Sequence, residues 1–131
     1  MIKHQARYIV LLLAAGMLAA CAQAGWAPGE PMSEGPVYIN QMELQIMESD
    51  PIQVAVYLEG ELPTPCHQLQ WRVGEPSSDG QIELEVYSTA PADVACIQVL
   101  EPFEQSIALG SFEGGRYTVI VNAEQVGSFD A

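Results

Sequence analysis

Lysine is almost missing from this chain. Lys3 is the only one, and Arg7, Arg72 and Arg116 are the only arginines, against 17 aspartates and glutamates in 131 residues. Beyond residue 20 no lysine occurs, and two arginines face all 17 acids, a formal charge of −15. A chain this acidic repels nucleic-acid phosphate, which excludes nucleic acid as a partner. It also repels anionic headgroups, so membrane attachment must rest on buried hydrocarbon rather than on a basic patch. The simplest use of so many acids is a solvated surface that keeps the chain soluble. Without lysine there is no Ser-Lys dyad and no Lys-based isopeptide crosslink. Histidine is nearly as scarce: past residue 20 only His67 remains, too few for a multi-His metal cluster. A Ser-His-Asp site would have to use His67, and no Gly-x-Ser-x-Gly elbow accompanies it. The Asp-x-Asp-x-Asp-Gly pattern of a calcium loop and a Gly-rich phosphate loop are both missing. Neither a metal nor a cofactor is expected. Amphipathic helical periodicity of useful length is also lacking.

The most specific stretch lies at the start. Residues 1–8 are short and basic, with Lys3, His4 and Arg7 and no acid. Residues 9–18 are apolar apart from Gly16, and small residues Ala19 and Ala20 lead to Cys21. A positive start, a short apolar core and a small-residue exit define a secretory signal peptide. The core is shorter than the roughly 20 residues a membrane span needs. Leu18, Ala19, Ala20 and Cys21 resemble the lipobox of bacterial lipoprotein precursors. That resemblance implies cleavage before Cys21, a lipidated Cys21 thiol and an acylated new amino terminus. The expected division is a signal helix over 1–20, a lipidated Cys21 with a Gly/Pro-rich flexible tether over 21–36, and one domain over 37–131. Trp26, the tether's one aromatic residue, suits either a lipid interface or a domain edge.

From Val37 onward the hydrophobic period is 2, the strand signal. Val37 and Ile39 set one phase, then Met42, Leu44 and Ile46 set the other, which predicts a bulge. Ile52, Val54, Val56 and Leu58 make the cleanest alternation. Gly60 breaks it, followed by Pro63 and Pro65, residues a central ladder excludes. Alternation resumes at Leu69, Trp71 and Val73, at Ile82, Leu84 and Val86, over 105–109, at Tyr117, Val119 and Val121, and over 125–129. Turn signals fall at 49–51, 74–80, 89–93, 113–115 and 122–124. Residues 94–100 form a denser apolar run holding Cys96. About seven or eight short strands so spaced predict an all-β antiparallel sandwich. Residues 115–122, Gly-Arg-Tyr-Thr-Val-Ile-Val-Asn, resemble the closing strand of bacterial immunoglobulin-like modules, and the resemblance implies that architecture. Cys66 and Cys96 are only 30 residues apart and Trp71 lies five after Cys66, both closer than in antibody-type domains. The topology is therefore left open.

With Cys21 lipidated, Cys66 and Cys96 remain, and an even pair in an exported domain points to a disulfide. Placed beside the Trp71 strand and inside an apolar run, the bridge is expected at or near the core. A Cys66–His67 reactive pair is disfavoured, because neighbours in an extended chain point to opposite faces. Glu59/Glu61 and Glu83/Glu85 each share a strand face that could meet a cation or a sugar, though an acid-rich chain makes such pairs readily. Leu62, Pro63, Thr64, Pro65 and His67 form a stiff segment around Cys66: a sheet-crossing corner, or a pre-organised recognition loop. The resulting expectation is a non-enzymatic interaction or structural module, anchored through Cys21 in the cell membrane or outer membrane. It would face the periplasm or exterior and meet a protein or envelope partner. The alternative is a small secreted-protease inhibitor using residues 62–67.

Overall fold

A computed structural model describes residue 29 and residues 31–131. The expected signal peptide, Cys21 and Trp26 lie outside the described residues. The rest is all-β: β1 (Met32–Gly35), β2 (Tyr38–Met47), β3 (Ile52–Leu62), β4 (Gln68–Val73), β5 (Gln81–Pro91), β6 (Glu101–Phe112), β7 (Arg116–Val121) and β8 (Glu124–Asp130). Among the described residues there is no helix.

Two sheets form. In one, β3 lies between β2 and β6; in the other, β5 is central. β4 pairs one edge of β5 over residues 84–89, while the other edge is shared by β7 at residues 81–84 and β1 at residues 88–91. β8 lies beyond β7. Five of the six strand pairs are antiparallel; β5 and β7 run parallel. The alternation explains the layering. Val54, Val56 and Leu58 of β3 and Ile82, Leu84 and Val86 of β5 turn inward and are buried, with Ile107, Phe112, Val119, Val121 and Phe129 around them. Phe112, Tyr117 and Phe129 close one region of the core, with ring centroids 5.0–5.3 Å apart. The phase slip in β2 is a register shift between Ile39 and Gln41.

Four boundaries differ from expectation, each because a long-range contact overrides a local signal. Residues 32–35, placed in the tether, are β1. Three of the four side chains are exposed, so no alternation marks a strand held by backbone pairing alone. β3 passes through Gly60 instead of stopping there. A Cβ at Gly60 would press on the Tyr38 carbonyl oxygen and the Phe103 ring, so glycine lets β2 and β6 flank the strand closely. β5 continues to Pro91 through inward-facing Ser88, whose hydroxyl donates to the Pro36 carbonyl at 2.8 Å; a buried hydroxyl interrupts the apolar pattern without ending the strand. β6 is 12 residues long, and its register shift skips Leu109, so Ile107 and Phe112 both reach the core despite opposite parity.

Asn122 completes the gap between β7 and β1. Its backbone N–H donates to the Leu84 carbonyl at 3.1 Å. Its side-chain Oδ1 accepts from the Val86 N–H at 2.8 Å, and its Nδ2 donates to the Val86 carbonyl at 2.9 Å. The side-chain amide thus stands in for a strand neighbour. Asn122 and Ala123 have φ of 46° and 70°, the left-handed pair a two-residue hairpin requires. Asn122→Gly should keep the turn but leave both Val86 groups unpaired, a loss of about 1–3 kcal/mol. Asn122→Ala should lose roughly 1 kcal/mol more, from strain at positive φ. Thermal unfolding of the two variants should give that order, and equal melting temperatures for wild type and Asn122→Gly would contradict the bridging role.

Candidate functional site

The two connections that leave β3 and β5 meet at one end of the sandwich. β3 crosses to β4 through residues 63–67, and β5 crosses to β6 through residues 92–100. A disulfide between Cys66 and Cys96, with Cα atoms 6.2 Å apart, ties the crossings together. Both cysteines are half-buried, so of the expected positions at or near the core the bridge takes the outer one, stapling the end of the sandwich. The reason is topological: each cysteine lies on a segment between sheets, and such segments occupy the ends of the layers.

The candidate recognition segment is folded back on itself. Thr64 Oγ1 pairs with His67 Nδ1 at 2.8 Å and accepts from the Cys66 N–H at 3.3 Å, while the His67 N–H donates to the Thr64 carbonyl at 3.1 Å. Leu62 and Thr64 are buried, Pro63 and His67 are half-buried, and Pro65 alone is exposed. A protease cleft needs an extended, accessible segment, and this compact corner does not present one. Cys66 is covalently engaged, so no thiol stands beside His67.

The partner crossing is exposed instead. Residues 94–100 have no regular structure, and Val94, Ile97, Val99 and Leu100 are 50%, 68%, 51% and 52% exposed. The density of this apolar run suggested burial. The run pairs with no strand, so it has no sheet face to bury. Both sheets are already complete without it. Met32, half-exposed, lies across from Pro91 at the start of the same crossing. At the β4 edge Trp71 and Val73, opposite Val86 and Leu84, also remain about 40% exposed, because three strands do not cover the width of the other sheet.

The acids sort into two outer faces. On the three-stranded sheet, Glu59 lies opposite Glu104 and Tyr57 opposite Glu43. The Tyr57 hydroxyl donates to Glu59 Oε1 at 2.7 Å. That bond, burial, and the charges of Glu104, Glu59 and Glu43 push the Tyr57 phenol up to about 12. Glu59, Glu61 and Glu104 share with Asn40 and Phe103 an open cleft of about 430 Å³. On the other sheet Glu85 is compensated. Arg72 Nη1 donates to it at 3.0 Å, Nη2 donates to Glu34 at 2.6 Å, and the guanidinium lies 4.1 Å from the Tyr87 ring centre. Within the Glu83/Glu85 pair, Glu85 therefore already has its cation. Among the described residues no group of three His, Cys, Asp or Glu side chains is placed to hold a metal ion.

A two-layer sandwich, stapled at one end by a single disulfide and exposing an apolar crossing there, is the class this geometry defines. Residues 56–131 match the ORF11 beta-sandwich domain, and the chain belongs to that family. Neither a curated protein nor a solved structure matches it. The family match begins inside β3, so β1 and β2 precede it.

Two outcomes test these assignments. Breaking a bridge across 30 residues should remove roughly 3–4 kcal/mol on the chain-entropy account. The paired Cys66→Ser, Cys96→Ser variant should then melt more than about 10 °C lower with its sheet spectrum retained. A melting temperature indifferent to the bond would contradict the staple. For Tyr57, the folded-state pKa of about 12 lies above the ordinary 10.0. The stabilising contribution of the neutral phenol is therefore complete below pH 10 and is lost as pH rises through about 12. Tyr57→Phe should delete the tyrosinate absorbance step near pH 12 and flatten the alkaline fall in stability; an unchanged titration would refute the Tyr57–Glu59 bond.

Proposed function

We propose that this chain is a lipid-anchored, extracytoplasmic β-sandwich acting as a non-enzymatic interaction module. Acyl chains on Cys21 hold it in the cell membrane or outer membrane, facing the periplasm or exterior. The observation that carries this reading is the Cys66–Cys96 bridge lying downstream of Leu18, Ala19, Ala20 and Cys21. Structural disulfides persist in oxidising compartments, where an exported chain arrives. The same compartment is implied independently by the basic start and short apolar core of residues 1–18.

The non-enzymatic part rests on how the reactive groups are used. His67 is bonded to Thr64, Cys66 and Cys96 are joined to each other, and Arg72 is held between two glutamates over Tyr87. Each serves the architecture. The uncompensated carboxylates of Glu43, Glu59 and Glu104, around Tyr57, make a basic protein or envelope component the electrostatic match for the three-stranded sheet.

Each buried acyl methylene contributes about 0.8 kcal/mol, so two or three chains anchor where one does not. Cys21→Ser should lose the lipid mass and pass from the membrane fraction to the soluble fraction. Retention of that variant in washed membranes would refute the anchor.

A further inference from the structure

We propose that the apolar end of the sandwich, Val94, Ile97, Val99 and Leu100 with Met32, rests in the surface of the bilayer to which Cys21 ties the chain. The proposal rests on the reading of Cys21 as lipidated and adds an orientation: the disulfide end faces the membrane.

Chain direction is the first argument. Met32 pairs with Pro91 and Gly35 with Ser88, so β1 runs away from the end that carries residues 92–100. The Ala92 N–H donates to the Pro31 carbonyl at 2.9 Å. The polypeptide therefore enters the domain directly beside the exposed crossing. Reach is the second. Cys21 and Pro31 are ten residues apart, a distance that in any conformation cannot exceed roughly 33–36 Å. β3 and β5, 11 residues each, are about 36 Å long. A connection no longer than the body, leaving from one end of it, keeps that end nearest the bilayer and the 74–80 turn farthest from it.

Chemistry is the third. Four large aliphatic side chains half or more exposed, within seven residues, cost solvation in water and gain it at an interface. No base lies in residues 92–100, and Asp93 and Glu101 flank the run, so the surface suits zwitterionic rather than anionic headgroups. The Cys96 bond holds the crossing in place, which lowers the ordering cost of contact.

The test uses the full lipidated chain in phosphatidylcholine vesicles with brominated acyl chains. Trp26→Phe and Trp71→Phe clear the background, and single reporters are Ile97→Trp, Val99→Trp and, at the far end, Ser77→Trp. Fluorescence at positions 97 and 99 should fall at least about twofold relative to unbrominated vesicles, with position 77 unchanged. Sedimentation with the vesicles reads the anchor separately. If the chain sediments and positions 97 and 99 stay unquenched, the orientation is overturned while the anchor stands, and the crossing is left to a protein partner. If the chain fails to sediment, the Cys21 reading falls and this proposal with it.

Discussion

The contact between the inner faces of β3 and β5 is the one on which everything else depends. Val54, Val56 and Leu58 meet Ile82, Leu84 and Val86, all six essentially removed from water. Each such side chain contributes about 1.5–3 kcal/mol on burial. The two strands are the centres of their sheets, so every other strand pairs with one of them or, in the case of β8, with a strand that does. Because β3 and β5 commit their even-numbered residues inward, their odd-numbered residues must face out. That single parity places Tyr57, Glu59 and Glu61 on one surface and Glu83, Glu85 and Tyr87 on the other.

The acid load follows the same division. A chain with so few bases cannot neutralise its carboxylates one by one, so it places them on the solvent faces, where water screens them. The two faces differ in compensation. Arg72 spans Glu85, Glu34 and the Tyr87 ring on the five-stranded sheet. These are exposed contacts that solvent screens, and their effect is local order more than stability. Among the described residues the three-stranded sheet has no comparable cation near Tyr57, so the carboxylates of Glu43, Glu59 and Glu104 are left uncompensated there.

Committing β3 and β5 to opposite layers also obliges the chain to cross between layers where each ends. Both crossings fall at the same end, since β3 and β5 finish there. One is compact and internally bonded through Thr64 and His67; the other is an exposed apolar strip. The Cys66–Cys96 bond unites a rigid corner with that strip, beside the point where Pro31 brings the chain in. Structural stapling, apolar exposure and chain entry thus coincide in one region, at the opposite end of the sandwich from the 74–80 turn.

Sequence by itself determined the class: all-β, two layers, with the inward residues of β3, β5 and β7 named by alternation and the β2 bulge by its phase slip. These are local properties. Successive side chains on a strand point to opposite faces whatever the strand pairs with, so burial writes its period directly into the residues. Tertiary structure alone decided what depends on distant backbone. β1 exists because residues 88–91 offer it a free edge. Gly60 and Ser88 continue strands, where their types suggest a stop, because Phe103, Tyr38 and Pro36 lie where they do. β7 runs parallel to β5 because the preceding crossing delivers it to that edge in that direction. Residues 94–100 face outward because the core was already filled. Hydrogen-bond partners and strand directions are settled by loop closure across tens of residues, and backbone pairing, unlike side-chain burial, leaves no periodic mark on the sequence.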